Sequence, residues 1–405
     1  LNPGGRTAAA VLATVFLLHL LGRGIGETYA VFLLPLEREF GWARSQLTSV
    51  YSMYLLVGAF MAPLAGTLFD RLGPRATYSG GLLCLGTAIF LASSLGNLWE
   101  FYLFVGVMVG IGVGMVGMVP ASALLTRWYR ARLSTAIGIA FSAMGMGGLL
   151  FVPLSQWLIQ SLDWRTTYRI LSAVLLLAVP VAALVVPWGK FAAGPEDSAS
   201  ARERRTKEAG WSVRAALRSR TYWALTRVFF FTATAMFTVL VQAVVYLIDL
   251  GFSPLAAAGA YGVIGMLSVV SVSSSGLLSE RFGYRQVVTA SFAGTATGVA
   301  VLLLMSWYPA AWLLPVFVTV FGLCMGVRGP IVSAIATRTF SGPRVATIYG
   351  MIFAANAVGA AFGSLMGGVL HDLTGGYRAG FALSLCSVAM AVAPFWTVRE
   401  LRNFR

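Results

Sequence analysis

The chain is a succession of long apolar runs separated by short polar breaks. About 20 apolar residues are enough for a helix to cross the hydrocarbon core of a bilayer. By that measure the first run covers about 8–34, and five more cover 45–69, 76–95, 99–125, 133–159 and 166–188. The pattern lapses over 189–220, a polar stretch with Lys190, Arg202, Glu203, Arg204, Arg205, Lys207 and Arg214, where a short amphipathic helix is expected around 211–218. Six further runs follow at 221–249, 255–279, 286–306, 310–336, 345–370 and 377–398. The pattern predicts an all-α polytopic membrane protein of twelve transmembrane helices, with one half over 1–188, a cytoplasmic linker over 189–220 and a second half over 221–405.

Composition sharpens this. Of 405 residues 58% are hydrophobic and 11% charged, outside the range of soluble domains. The net charge of +15 comes from arginines in the short breaks rather than on one surface. That excludes a nucleic-acid-binding role and makes anionic lipid headgroups the natural partner of these residues. With the N-terminus inside, the cytoplasmic breaks collect Arg71, Arg75, Arg127, Arg130, Arg132, the linker cluster, Arg281, Arg285, Arg338, Arg344 and the basic C-terminal tail, so both termini are expected in the cytoplasm. The first apolar run is too long for a signal-peptide core and no A-x-A-like site follows it, so no cleavable signal is expected. Cys84, Cys324 and Cys386 all fall in apolar runs, suggesting neither a disulfide framework nor a metal site.

Charge inside an apolar run demands an explanation, because it costs about 2.5–3.5 kcal/mol or more at mid-membrane. His19, Arg23 and Glu27 stand at i, i+4 and i+8 of the first run. On a helix they share one stripe, which must face other helices or water. It is expected to wall a central polar cavity; the alternative is a structural Arg23–Glu27 ion pair with His19 as packing. Arg328, in Cys324-Met-Gly-Val-Arg328-Gly-Pro330, lies within the tenth run. Pro330 removes a backbone donor and Gly329 loosens the helix, so a local break is expected there. An arginine at such a break offers a fork for a carboxylate; the alternative is a partner acid from another span, with Glu27 one candidate. Gln242 and Asn356 are uncharged groups able to complete a small polar site. Arg227 and Asp249 lie near the two ends of the seventh run. Gly106, Gly110 and Gly114, and Gly359, Gly363 and Gly367, make small-residue stripes for close helix packing.

The strongest pattern is internal. Gly66-Thr-Leu-Phe-Asp70-Arg71-Leu-Gly73-Pro-Arg75 recurs as Gly276-Leu-Leu-Ser-Glu280-Arg281-Phe-Gly283-Tyr-Arg285, each after the second run of its half. An acid ending one helix beside arginines on a tight turn can hold helix ends together in one conformation and release them in another, so Asp70, Arg71, Arg75, Glu280, Arg281 and Arg285 are candidate gating residues.

With this doubled motif the chain resembles the major facilitator superfamily over essentially its whole length. Tyr29-Ala-Val-Phe-Leu-Leu-Pro-Leu-Glu-Arg-Glu-Phe-Gly41-Trp42 and Arg127-Trp-Tyr-Arg130-Ala-Arg132-Leu-Ser-Thr-Ala-Ile-Gly138-Ile-Ala are similar to the branch that holds monocarboxylate transporters and oxalate–formate exchangers. The chain departs from that branch at several points. Glu27 stands near a common lysine, the eighth run lacks the usual acid and arginine, and Asn356 stands near a basic residue of the exchangers. Ala143-Met144 replaces the Gly-Pro that drug–proton antiporters carry before Gly147-Gly148.

The resemblance implies two six-helix halves pivoting about a midplane site, a monomer, and a bacterial inner membrane. No nucleotide-binding fingerprint is present, so coupling is expected from an ion gradient or exchange, without a cofactor. The expected substrate is a small organic anion: Arg328 and Arg23 would neutralise a monocarboxylate, Glu27 would couple a proton, and His19, Gln242 and Asn356 would complete the site. The alternatives are a carrier of zwitterionic, cationic or amphipathic compounds, including efflux, with Glu27 as counter-charge, and a non-transporting sensor on the same fold. A membrane-embedded enzyme finds no nucleophile–base pair or metal cluster.

Overall fold

The computed structural model describes residues 3–129, 133–193, 211–340 and 345–402. Arg130, Arg132, Arg344 and the linker residues Arg202, Glu203, Arg204, Arg205 and Lys207 lie outside them, as does the side chain of Glu280. Ten described helices are long and apolar enough to cross a bilayer, and the pair Arg44–Met61 and Pro63–Ala92, bent by 48°, raises the number to eleven. The expected second and third spans both fall in this pair. They form one helical run, Arg44–Ala92, of 49 residues, broken at Gly73. At ~1.5 Å per residue such a run is about twice the length one crossing needs. Gly73 takes φ 79° and its repeat partner Gly283 takes φ 82°. Both positions need a backbone that side chains resist, which explains why glycine recurs in the two copies of the motif.

The first span differs from expectation at its outer end. The break after the first run is loop only over residues 41–43: the helix Tyr29–Phe40 runs through Pro35 and stops at Gly41, φ 65°. Its end is tied down by Glu39, which accepts from the Trp164 indole and the Arg165 guanidinium at the start of the sixth span. That sixth span, Trp164–Val185, opens on Asp163, whose carboxylate accepts from the Thr166 amide at 2.6 Å. This bond holds the Asp163 carboxyl below the usual range, so its contribution to folding is full above that range and is lost as the pH falls through it. Of the linker, the described part includes a helix Val213–Arg218, capped by Ser212, where the amphipathic segment is expected.

The chain divides into two compact units, Leu1–Trp42 with Val50–Ser198, and Ala43–Ser49 with Ala199–Arg405. The same close packings occur in each. In the first unit, spans one and five meet backbone to backbone, a Cβ on Gly147 falling 2.6 Å from the Gly24 Cα. Gly106, Gly110 and Gly114 of the fourth span lie against Met53, Val57 and Met61 of the second. In the second unit, Gly359 and Gly363 of the eleventh span lie against Phe230 and Thr234 of the seventh, and Thr234 and Thr238 donate to the carbonyls of Gly359 and Gly363 at 3.1 and 3.0 Å. Gly322 of the tenth span meets Ile264 and Leu267 of the eighth. Without water to drive helices together, such contacts depend on small residues and interhelical hydrogen bonds.

Gly147→Ala is therefore expected to destabilise by about 1–3 kcal/mol through overpacking, read as a lower melting temperature of the purified protein. Gly148→Ala, where a Cβ meets nothing within 4 Å, is expected to leave it within error of the parent.

Candidate functional site

Among the described residues the first, fourth and tenth spans are interrupted by short non-helical turns, and ionisable residues stand at two of these turns, Glu27 in the first span and Arg328 in the tenth. The first span breaks at Glu27–Thr28, between helices Pro3–Gly26 and Tyr29–Phe40. Glycines at 22, 24 and 26 weaken the helix before it. The Thr28 hydroxyl caps the end by donating to the Ile25 carbonyl at 2.7 Å. The fourth span breaks at Gly117, between Val109–Val116 and Met118–Trp128, after a π-helical stretch at Tyr102–Met108. The tenth breaks at Gly326–Val327, between Leu313–Met325 and Arg328–Thr339. The last two share a cause: a proline leaves the carbonyl four residues earlier without its helical donor. Pro120 does this to Val116 and Pro330 to Gly326. The break thus falls at Gly326 rather than at Gly329, where the sequence suggests it.

In the first unit, Arg23 and Glu27 pair at 3.2 Å. The Arg23 guanidinium also donates to the Tyr54 hydroxyl at 3.2 Å and lies 3.4 Å from the Met144 sulfur, so one side chain links spans one, two and five. Glu27 is 9% exposed and His19 1%, so both are buried in this structure.

In the second unit, Arg328 opens the helix after the break. It is 1% exposed. Its Nη2 donates to Thr295 Oγ1 at 3.0 Å and approaches the Met325 carbonyl at 3.4 Å, and its guanidinium carbon lies 4.7 Å from the centre of the Phe292 ring. Its Nε and Nη1 find no acceptor among the described residues, and no described carboxylate pairs with it. Asn356 is half-buried and stands apart from Arg328 in the hydrogen-bond pattern.

Gln242 belongs to a separate cluster that the sequence does not reveal. Its Oε1 accepts from Arg44 Nη1 at 3.3 Å. Arg44, 4% exposed, also donates to the Tyr377 hydroxyl at 3.1 Å and lies 4.0 Å from Asp249. The Tyr377 hydroxyl donates to Asp249. The Asp372 carboxylate accepts from the amides of Arg44 and Ser45 at 3.2 and 2.8 Å, and the Ser364 hydroxyl donates to the Thr48 carbonyl. A free helix N-terminus is thereby capped by a carboxylate more than 300 positions away. In the sequence Arg44 falls in the break between the first two runs and Asp249 near an end of the seventh, and no local spacing connects them.

The gating candidates Asp70, Arg71, Arg75 and Arg281 are exposed, and no ion pair among the described residues joins them. Arg281 lies over Phe282, and Arg285 lies over the Trp396 ring at 4.7 Å. Among the described residues no three His, Cys, Asp or Glu gather as metal ligands.

The family model for the major facilitator superfamily matches residues 12–318 and 273–403. The chain belongs to that superfamily. This major facilitator protein is a multi-pass membrane transporter, not an enzyme. It is 26% identical over 383 residues to rat monocarboxylate transporter 13, covering 94% of this chain and 86% of that one. Over 420 residues it is 26% identical to rat monocarboxylate transporter 12, covering 96% and 84%, and over 400 residues 25% identical to rat monocarboxylate transporter 3, covering 97% and 81%. Among solved structures, an inward-facing, occupied bacterial homologue of the human lysosomal transporter Spinster shares the fold, with a TM-score of 0.71 at 16% identity over 98% of this chain and 97% of that one.

Removing the Asp372 carboxylate should unseat the N-terminal turn of the Arg44 helix. Asp372→Ala is expected to cost about 1 kcal/mol, as lost helix caps do, and to speed amide hydrogen exchange at 44–48 without changing exchange around Gly147.

Proposed function

We propose that the protein carries a small monocarboxylate across the membrane by alternating access, coupled to a proton. The observation that carries this reading is Arg328: a guanidinium inside a membrane span, buried, with two N–H groups and a charge that no described acid answers. A buried cation left unpaired costs several kcal/mol, and intramembrane ionisable residues mark substrate or ion pathways. A carboxylate supplies the missing charge and two acceptors at once. Interrupted helices at matching places in two halves point to a substrate site, and spans four and ten, the fourth of each half, are both broken. The names of the curated relatives agree with a monocarboxylate.

The Arg23–Glu27 pair is the proton's station in this reading. Glu27 is nearly buried, sits at a helix break and touches one arginine. A proton on it removes its charge, dissolves the ion pair and leaves Arg23 free to attract an anion. Within the first unit His19 would complete the surroundings of the Glu27 charge, and within the second Gln242 and Asn356 would be the uncharged groups available to the substrate. Asp70, Arg71, Arg75, Glu280, Arg281 and Arg285 would gate the helix ends at the two repeated turns. Arginine bias favours both termini in the cytoplasm, with the plasma membrane (the inner one, in a bacterium) as location.

Uptake into proteoliposomes tests this, using labelled acetate, lactate, succinate, alanine and a lipophilic cation, with and without an imposed pH gradient. Saturable monocarboxylate uptake that a pH gradient accelerates is expected. Arg328→Gln should reduce it at least tenfold, and Glu27→Gln should abolish the response to the pH gradient. Cation or alanine uptake that survives Arg328→Gln but is lost in Glu27→Gln would replace the anion reading with a carrier that uses Glu27 as counter-charge.

A further inference from the structure

Two arginines are buried among the described residues, and they are held differently. Arg44 faces a carboxylate, an amide and a phenol. Among the described residues Arg328 faces a hydroxyl, a distant backbone carbonyl, an aromatic face and the nearby Cys324 thiol, with no carboxylate among them. Its hydroxyl partner is itself anchored: Thr295 donates to the Ser291 carbonyl at 3.1 Å. Ser291 in turn donates to the Cys324 carbonyl, one turn before Arg328. Ser291, Phe292 and Thr295 thus present one face of the ninth span, Tyr284–Met305, to the interrupted part of the tenth.

A group that binds substrate must be reachable, and at 1% exposure Arg328 is not. We propose that Phe292 and Thr295 park the Arg328 guanidinium in the absence of substrate, and that a carboxylate draws it off them about the hinge at Gly326–Val327. This inference rests on Arg328 being the substrate's partner. Phe292 and Thr295 are then positioning residues that compete with the substrate for one cation.

The competition fixes the sign of the effect. A site competent in only a fraction of molecules binds with an apparent constant weakened by that fraction. Loosening the parked state raises the fraction, so KM falls. A purely structural role predicts the reverse: poorer packing would leave KM unchanged or raise it. The parked contacts are weak enough to be displaced, since a cation over a ring and a bond to a neutral hydroxyl hold less firmly than a two-pronged bond to a carboxylate.

Lactate uptake in proteoliposomes, normalised to reconstituted protein, is measured for the parent, Thr295→Val, Phe292→Leu and Thr295→Ser. Thr295→Val and Phe292→Leu are expected to lower KM about three- to tenfold, and Thr295→Ser, which keeps the hydroxyl, to restore the parent value. An unchanged or raised KM in both would overturn the proposal. A second measurement does not need transport: ¹⁵Nε-arginine spectra in nanodiscs, with the Arg328 signal assigned by Arg328→Lys. That signal is expected to be shifted upfield by the Phe292 ring without lactate, and to move downfield in Phe292→Leu and on adding lactate. No response to Phe292→Leu overturns parking. If the parent takes up no carboxylate, the proposed substrate fails first; a ring shift that also ignores lactate then overturns the release.

Discussion

An apolar solvent around a charged side chain is the constraint on which this structure turns. Lipid cannot hydrate a guanidinium, so each arginine within a span must be answered by protein or by something the protein carries. Arg23 is answered by Glu27 and Tyr54, and Arg44 by Gln242, Tyr377 and Asp249. Arg328 is answered by Thr295 and Phe292, which bring no negative charge. That imbalance is a standing demand for an anion, and the functional reading follows from it.

The helix breaks make the demand usable. At Gly326–Val327 the tenth span keeps its direction but loses a helical hydrogen bond just before the turn on which Arg328 stands. Close glycine packing serves the same end, since Gly24 against Gly147 and Gly322 against Leu267 let interrupted helices stay in contact without bulky side chains between them. The proposed proton station has the same form, with Glu27 at the break of the first span and Arg23 one turn before it.

Much of the fold was legible because membrane spans declare themselves by length, and the repeat because Gly73 and Gly283 occupy the same demanding backbone conformation. The tenth-span break was legible from Pro330 to within one turn; the shift to Gly326 follows from which carbonyl loses its donor. The fourth-span break obeys the same rule through Pro120 and Gly117, a signal present in the sequence but overshadowed by the glycine stripe before it. The helix beyond the first run was not legible, because it passes Pro35 to Phe40 with its end held through Glu39 by Trp164 and Arg165 of a distant span. The cluster of Arg44, Asp249 and Asp372 was not legible, since its members lie some 120 to 330 positions apart and only the folded chain brings them together. For Arg328 the residue was legible, but not its full burial or its neighbours, which come from another span.

The central claim is that Arg328 is a buried charge kept for an anion rather than for the fold. Its most direct test is the melting temperature of the purified protein and of Arg328→Met, each titrated with lactate and with lactamide, the uncharged isostere. An unpaired buried charge replaced by an apolar side chain of similar volume should raise stability, and a ligand that binds only the folded state should raise it with concentration. The account predicts that Arg328→Met melts higher than the parent without ligand, that lactate stabilises the parent and lactamide does not, and that the variant ignores both. A variant that melts lower than the parent, or one that lactate still stabilises, would contradict it.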